Sequence, residues 1–315
     1  MHKNLAAVLG SLFGSRAARG HVRESQKQAA DIEGRLAVMA ERWPDQLGDS
    51  DARPVFVFAA GWRTGSTLLQ RLLMSDNDIM IWGEPYNRSG LTATLMDQFR
   101  SITKDWPFEY YEGNKFEGDM SSQWVANIYP PIRHLIAAHR MFFSELFEAP
   151  ALAMGKSRWG FKEVRLTSEH AIYLKFLYPK AKFVFLFRDP IKAYASFRGY
   201  IGFDYRAWPN KPVMTPIQFG EMWCQMVRDF FNNYERVGGM LIKYEELVRD
   251  ARLVNELSEY VEAELKPIEK LDRISGRRKT GGHGERGGQK YIPILDRMLL
   301  NWTVSQLRGE LGYDD

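Results

Sequence analysis

Residues 55–73, VFVFAAGWRTGSTLLQRLL, contain the pattern that decides the fold. They begin with Val55–Ala59, a wholly apolar run rich in β-formers, which is typical of a strand covered on both faces. A glycine-containing loop follows, and Thr67–Met74 is then predicted to be a helix. A strand, a glycine-rich turn and a helix start in this order aim backbone N–H groups at an anion. The stretch therefore predicts an anion-binding loop at the end of a buried strand.

Strand and helix patterns alternate along the rest of the chain. Further strands are predicted at Ile79–Trp82, Trp159–Val164, Lys182–Phe187 and Met240–Lys243. Helices are predicted within 91–150, interrupted by a polar and aromatic stretch at 104–122, and around 190–200 and 216–236. This alternation indicates an α/β fold with a central parallel sheet flanked by helices on both faces. Ligands of such sheets bind at the carboxyl ends of the strands.

The first fifty residues differ from the rest. Ser25–Trp43 carries apolar side chains at helical spacing, and Pro44 with the polar run at 48–51 ends the pattern. We expect residues 1–50 to form a helical appendage. Residues 51–315 are then expected to form a single domain, with a helical insertion at about 90–155.

Composition limits the class of protein. The chain has 315 residues, 45% of them hydrophobic, which is enough for a sizeable core. A net charge of +4, spread along the chain, does not favour a nucleic-acid partner. With one cysteine, Cys224, no intrachain disulfide can form, which fits a reducing compartment. No stretch approaches the ~20 apolar residues of a membrane span, and we expect a cytoplasmic protein.

One segment offers an alternative to the cytoplasm. Leu5–Gly14 has the length of a signal-peptide core, but Arg16 and Arg19 follow it directly, where an exported protein has small residues. The pattern therefore favours a short amphipathic helix over an export signal.

The anion-binding loop departs from that of the nucleoside triphosphatases. Their loop needs a Lys followed by Ser or Thr, whereas this chain has Ser66 at the Lys position and Ala60 at the first Gly position. The positive charge lies inside the loop, at Arg63. A phosphosulfate group lacks a γ-phosphate, so amides, hydroxyls and one Arg can hold it without metal.

The loop resembles that of a known family. GWRTGSTLLQRLL, residues 61–73, is similar to the 5′-phosphosulfate loop of sulfotransferases that use 3′-phosphoadenosine-5′-phosphosulfate (PAPS). The resemblance covers roughly residues 54–313 and implies a P-loop-like sulfotransferase fold. It also implies that the donor is held by Arg63, Thr64, Gly65, Ser66, Thr67 and Leu68.

A second motif extends the resemblance. Phe187–Pro190 reads Phe-Arg-Asp-Pro, and Ser196 follows within the next predicted helix. In the family, an Arg at this strand end and a Ser about eight residues later hold the 3′-phosphate, so the resemblance assigns that role to Arg188 and Ser196. A guanidinium offers phosphate a planar fork of donors.

The resemblance also implies catalytic residues. Glu84, in Trp-Gly-Glu-Pro-Tyr at the end of a predicted strand, is similar to the base of tyrosylprotein and several bacterial carbohydrate sulfotransferases. Lys162 stands where the family has a Lys that neutralises charge on the bridging oxygen, and Arg63 shares this role. Members with a His base carry it shortly after this Lys. Arg165 stands there in this chain and cannot act as a base near neutral pH.

Residues for the rest of the donor come from the C-terminal part. Tyr244, in the stretch Leu-Ile-Lys-Tyr-Glu-Glu-Leu, resembles the Tyr that lies against the adenine. Residues 275–290 are rich in Gly and basic side chains and resemble the family's C-terminal loop, where Arg277 and Lys290 are the expected donor ligands. We expect no metal. His134 and His139 are expected to face solvent or line the acceptor cleft.

The expected reaction is in-line transfer of a sulfuryl group from PAPS to an acceptor hydroxyl, with release of 3′-phosphoadenosine-5′-phosphate (PAP). Two alternatives stay open, namely a P-loop-like kinase or nucleoside triphosphatase and a non-catalytic nucleotide-binding protein on the same fold. The acceptor is expected to be a small molecule or a carbohydrate, and the aromatic residues within 104–150 are candidates to line its pocket. The pattern leaves homo-oligomerisation open.

Overall fold

The computed structural model of the chain describes residues 31–84, 86, 89–198, 213–268 and 291–313. The described residues divide into two compact units. The smaller one combines the described part of Met1–Gly48 with Thr94–Leu135, and the larger one combines Asp49–Ala93 with Ile136–Asp315. The expected appendage at 1–50 and insertion at about 90–155 stay a prediction of the domain organisation.

The larger unit contains a parallel β-sheet. Its described strands are β1 (Val55–Ala59), β2 (Ile79–Trp82), β3 (Arg158–Glu163), β4 (Lys182–Phe187) and β5 (Met240–Lys243). They are ordered β2-β3-β1-β4-β5, and every neighbouring pair is parallel. The predicted α/β fold with a central parallel sheet flanked by helices is confirmed.

Strand β1 lies at the centre of the sheet and of the core. All five of its residues are buried, which confirms that the apolar run at 55–59 is covered on both faces. The ring of Phe56 lies 4.8 Å from that of Phe161 and 5.5 Å from that of Phe183, measured between centroids. Aromatic pairs at these distances add to the stability gained from burial of their surface. The apolar centre gives the polar edge of the sheet a rigid support.

Helices account for much of the remaining described chain. They are α1 (Ile32–Arg42), α2 (Ser66–Leu73), α3 (Leu91–Phe99), α4 (Ile132–Phe143), α5 (Ala149–Ala153), α6 (Ser168–Leu177), α7 (Pro190–Arg198), α8 (Pro216–Asn233), α9 (Tyr244–Leu247), α10 (Ala251–Val261) and α11 (Ile294–Glu310). Helix α2 begins at Ser66, one residue before the predicted start, because Gly65 adopts a left-handed conformation and serves as its N-cap.

Helix α8 shows how local sequence positions an element next to the sheet. Thr215 Oγ1 accepts from the Gln218 N–H at 3.1 Å, and Gln218 Oε1 accepts from the Thr215 N–H at 3.2 Å. This reciprocal cap and Pro216 at the first helical position begin the helix sharply. The ring of Phe230 packs 5.0 Å from that of Phe185 on β4. Helix α8 is thereby fixed beside β4, the strand that Arg188 directly follows.

In the smaller unit, the predicted interruption at 104–122 forms short 3-10 turns. Glu112 is fully buried there; Gln46 donates a hydrogen bond to it at 3.0 Å, and Lys115 lies 3.5 Å away. Tyr110 and Trp124, two of the aromatic residues considered for an acceptor pocket, are exposed. The exposed aromatic side chains within 104–124 therefore do not belong to the hydrophobic core.

Replacement of Gly160 by Ala tests the sheet register. A Cβ at this position would lie 1.8 Å from the backbone oxygen of Val55, which is paired with Gly160 across β1 and β3. We expect Gly160→Ala to lower the free energy of unfolding in urea by about 1–3 kcal/mol, as overpacked sites do. Gly309→Ala is the matched control, because a Cβ at Gly309 meets nothing within 4 Å. Equal stabilities of the two variants would contradict the register.

Candidate active site

The carboxyl ends of the five parallel strands lie along one edge of the sheet. The loop at residues 60–65 follows β1 at the centre of that edge. Glu84 follows β2, Lys162 lies near the end of β3, and Arg188 directly follows β4. Tyr244 directly follows β5. The fold thus places every catalytic residue and most donor-binding residues that the sequence indicated at or near one edge.

The loop after β1 is a tight turn with three residues at positive φ. Gly61, Arg63 and Gly65 have φ values of 82°, 63° and 94°. The Gly61 N–H donates to the Val164 oxygen at 3.1 Å, which ties the loop to the end of β3. The hydroxyl of the buried Thr64 donates back to the Gly61 oxygen at 3.2 Å and closes the turn. The left-handed conformation of Arg63, which is not a glycine, costs about 1 kcal/mol.

The start of α2 faces the ring of Tyr244. A Cβ at Gly65 would lie 2.2 Å from that ring, so only glycine permits this contact. No side chain of the described residues caps the helix at Gly65. The first amides of a helix without a side-chain cap are suited to bind an anion, and the helix dipole favours negative charge there. Ser66 is buried at this point and Thr67 is exposed.

Four predicted donor-binding residues are in contact at the loop. Arg63 Nε donates to Ser196 Oγ at 2.8 Å, although the two residues lie 133 positions apart. Arg188 Nη1 donates to the Arg63 backbone oxygen at 3.0 Å. The Arg188 guanidinium also lies over the Tyr244 ring, 4.4 Å from its centroid. Residues from the ends of β1, β4 and β5 and from α7 thus form one cluster.

The backbone and the side chain of Arg188 are both held by residues that the sequence did not identify. Trp223 on α8 donates its indole N–H to the Arg188 oxygen at 2.9 Å. Glu245 Oε1 lies 3.9 Å from Arg188 Nε. Trp223 belongs to an apolar helical pattern, and Glu245 was part of the motif that includes Tyr244. Neither pattern indicates which distant strand end the side chain contacts.

Glu84 and Lys162 form an ion pair. Lys162 Nζ donates to Glu84 Oε1, and the side chains are 8% and 13% exposed. The register explains the contact, because Trp82 on β2 is paired with Phe161 on β3. Lys162 follows Phe161 directly, and Glu84 lies two residues after Trp82. The proposed base and the proposed charge-neutralising group are therefore adjacent and largely shielded from water.

Glu163 is a buried acid beside this pair. Burial raises the pKa of the Glu163 carboxyl well above its ordinary value, and the charge of Glu84 raises that pKa further. Glu163 Oε2 accepts from the Val164 N–H at 3.2 Å. Lys162 and Glu163 are both buried, so this end of β3 is not a solvent-exposed strand of ion-paired side chains.

Arg165 supports the loop by stacking. Its guanidinium lies 3.9 Å from the ring centroid of Trp62, a buried residue of the loop. The Trp62 ring is in turn stacked on that of Phe197 from α7, at 5.3 Å. This column joins the end of β3, the loop and the helix that carries Ser196.

Some predicted residues lie elsewhere. Arg277 and Lys290 lie outside the described residues. The expectation that His139 faces solvent or lines a cleft is wrong: it is buried in α4, with its Nδ1 2.7 Å from the Tyr173 hydroxyl, and burial lowers its pKa to about 4. Within the described parts of the chain, no group of three or more His, Cys, Asp or Glu residues could hold a metal ion. None of the described helices is long and apolar enough to cross a membrane.

The sequence match identifies the class of protein. Residues 54–264, more than half of the chain, match the model of the sulfotransferase family. The chain belongs to the sulfotransferase family and is a transferase of sulfuryl groups. The kinase and non-catalytic alternatives receive no support from this match.

Solved structures of several sulfotransferases align with most of this chain. The sulfotransferase domain of the Synechococcus PCC 7002 olefin synthase is 18% identical, with 86% of this chain and 98% of that domain covered and a TM-score of 0.45. The sulfotransferase domain of the curacin biosynthetic pathway is 15% identical, with 85% and 99% covered and a TM-score of 0.46. A sulfotransferase from Alicyclobacillus acidocaldarius is 16% identical, with 84% and 98% covered and a TM-score of 0.42. The search of curated proteins found no match.

The raised pKa of Glu163 predicts a pH dependence of stability. A carboxyl whose folded-state pKa lies above its unfolded value contributes stability that is complete below about pH 4.5 and is lost as the pH rises through the folded-state pKa. The difference in unfolding free energy between Glu163→Gln and the wild type should therefore shift in favour of the variant as the pH rises above 4.5. Urea titrations over a pH series measure this difference.

Glu262→Gln is the control of opposite sign. A hydrogen bond from Lys182 lowers the pKa of Glu262, so that group contributes stability above its unfolded pKa and loses it as the pH falls. The free energy of unfolding of the wild type should therefore increase relative to that of Glu262→Gln as the pH rises through the acid range. A constant difference for Glu163→Gln would show that burial of Glu163 does not perturb its titration.

Proposed function

We propose that this sulfotransferase takes PAPS as donor and transfers the sulfuryl group to an acceptor hydroxyl by in-line displacement, releasing PAP. The observation that carries the proposal is the meeting of Arg63, Arg188 and Ser196 beside an uncapped helix start. These two cations and one hydroxyl come from three separate elements at one sheet edge. They match the needs of a donor that carries anionic groups at both its 5′ and its 3′ position.

The 5′ end of the donor would be held by the loop after β1. Gly65, Ser66, Thr67 and Leu68 would supply amides at the start of α2, where the helix dipole favours an anion. Ser66 and Thr67 would add hydroxyls. Gly65 lets the Tyr244 ring lie against this helix start, because a Cβ at Gly65 would collide with that ring. Thr64 would act chiefly by closing the turn, since its hydroxyl donates to Gly61.

The 3′-phosphate would be held by Arg188 and Ser196. One nitrogen of the Arg188 fork is bonded to the Arg63 oxygen, and the described residues make no further hydrogen bond to its side chain. The second terminal nitrogen can therefore donate to phosphate oxygens. Ser196 Oγ accepts from Arg63 and retains its own O–H for donation. Recognition of a 3′-phosphate would select PAPS over ATP. Tyr244 would lie against the adenine, and Arg277 and Lys290 would complete the donor site from the C-terminal loop.

Glu84 would accept the proton of the attacking hydroxyl. Lys162 would neutralise the charge that develops on the bridging oxygen as the sulfuryl group leaves. The contact between the two is compatible with both roles, because an ammonium has three N–H donors and can hold Glu84 with one of them. Arg63 would add positive charge on the loop side. Each step uses this chain's own side chains, and the proposal needs no metal.

The acceptor is proposed to be a small molecule or a carbohydrate. The support is the Glu84 motif, which resembles the branch of the family that uses a Glu base, with its tyrosylprotein and bacterial carbohydrate members. We also propose a cytoplasmic location. The support is the single cysteine, which fits a reducing compartment, and the ordinary globular composition of the chain.

Calorimetric titration with PAP, AMP and ATP tests the donor. We expect PAP to bind more tightly than AMP or ATP without added metal, because only PAP carries the 3′-phosphate. Arg188→Ala should weaken PAP binding by about 2–5 kcal/mol, the range for loss of a contact between charged groups. Arg252→Ala is the control, since that side chain is 87% exposed on α10. Equal affinities of the wild type for PAP and AMP would refute the donor assignment.

Replacement of Glu84 by Gln tests the base. The amide keeps a hydrogen-bond acceptor for Lys162 but cannot take a proton, so sulfuryl transfer to a panel of sugars and phenols should fall at least about a hundredfold. PAP affinity should be unchanged, because Glu84 is not proposed to hold the 3′ end. Glu256→Gln, an exposed position on α10, is the matched control. Full activity of Glu84→Gln with any acceptor that the wild type sulfates would remove Glu84 as base.

A further inference from the structure

A single carboxylate joins three elements beside Arg188. Glu245 lies in α9, directly after Tyr244, and its side chain is 12% exposed. Its Oε2 accepts from the Tyr313 hydroxyl at 3.0 Å, and its Oε1 accepts from the Asp189 N–H at 3.4 Å. The same Oε1 lies 3.9 Å from Arg188 Nε. Glu245 therefore connects the end of β4 with the turn that follows α11.

The contacts of Arg188 leave its guanidinium little freedom. The Tyr244 ring covers one face, the Arg63 oxygen accepts from Nη1, and Glu245 lies beside Nε. Arg188 Nε is buried and makes no hydrogen bond to the described residues, so the ion pair with Glu245 is its electrostatic compensation. Glu245 thus holds the guanidinium at Nε, and the Arg63 oxygen holds it at Nη1. An orienting partner of this kind fixes which edge of the fork meets a ligand.

The Tyr313 side of the network is also fixed. Tyr313 is buried, and Lys243 Nζ lies 4.1 Å from its ring centroid. Lys243 Nζ donates to the Leu311 oxygen at 2.7 Å, which ties the turn after α11 to the end of β5. Burial raises the pKa of Tyr313, and the charge of Glu245 raises it further, so the hydroxyl stays a donor to Glu245. Arg308 Nε adds a second connection, 3.4 Å from Asp189 Oδ1.

We infer that Glu245 is a positioning residue for recognition of the 3′-phosphate, which holds Arg188 in its binding orientation and is itself held by Tyr313. This inference rests on the proposed donor. It assigns a role in donor selectivity to the turn at residues 311–313, through the contact of Tyr313 with Glu245. The chemical class that it concerns is a nucleotide with a phosphomonoester on the ribose.

Glu245 has two opposed effects on PAP binding, so the direction of the change in PAP affinity on its removal tests the inference. The negative charge of Glu245 lies close to a cation and weakens its attraction for an incoming phosphate. If charge alone mattered, its removal would tighten PAP binding. If orientation matters more, its removal weakens PAP binding, because the fork then samples other directions. AMP lacks the 3′-phosphate and should be insensitive in either case.

The experiment compares PAP and AMP affinities of Glu245→Gln, Tyr313→Phe and the wild type by calorimetry. We expect Glu245→Gln to lose about tenfold in PAP affinity, comparable with the smaller losses that follow removal of the partner that orients a metal ligand. AMP affinity should not change. Tyr313→Phe removes one hydroxyl and should lower PAP affinity in the same direction by less. Glu246→Gln is the matched control, with the same charge change one residue later on a side chain that is 63% exposed.

The outcomes distinguish failure of the proposed donor from failure of the role of Glu245. Equal PAP and AMP affinities in the wild type would refute the donor, and the inference with it. With PAP preferred by the wild type, unchanged or tighter PAP binding in Glu245→Gln would overturn the inference alone. Parallel losses for PAP and AMP would also overturn it, since they indicate a general structural role. Thermal melts check folding, and Tyr313→Phe supplies the decisive comparison if Glu245→Gln does not fold.

Discussion

The parallel pairing of β1 with β3 on one side and β4 on the other is the constraint on which the site depends. Val57 is paired with Lys162 and with Val184, so the three strands end at nearly the same level. The loop at residues 60–65 then lies between the side chains that follow β3 and β4. A slip of one residue in the pairing of β1 with β3 would turn Lys162 to the opposite face of the sheet, and a slip in the pairing of β1 with β4 would do the same to the residues at the end of β4. The aromatic packing around Phe56 and the contact of Gly160 with Val55 hold this register.

Opposite charges organise the edge of the sheet that the register creates. Lys162 is paired with Glu84, and Arg188 is accompanied by Glu245. Buried or half-buried pairs of this kind add little net stability, because removal of the charges from water costs about as much as their attraction returns. Their value lies in direction, since each cation is held in one orientation before any ligand arrives. Glu163, close to the first pair, shows the cost of burial in its raised pKa.

Local pattern was enough to predict the strands and to indicate residues that meet at one edge of the sheet, because both depend on short stretches of sequence. The apolar runs at 55–59 and 182–187 are strands with the predicted bounds, since a strand buried on both faces has no polar positions to blur its ends. Arg63 and Ser196 were identified through motifs and are in contact. Glu245, Trp223 and the burial of His139 were missed. Their roles arise from contacts between segments far apart in sequence, such as Glu245 with Tyr313, and no local spacing encodes such a partner.

The backbone of Arg63 has a consequence for how this enzyme can change over generations. A glycine there would relieve the left-handed conformation, yet it would delete the guanidinium that reaches Ser196. Under the proposed function, selection for a sturdier protein and selection for donor capture pull this position in opposite directions. Homologues adapted to high temperature would therefore be expected to keep the arginine in its left-handed conformation and to gain thermal stability at other positions. The residue at position 63 would therefore depend on the function of each homologue more than on the temperature at which it works.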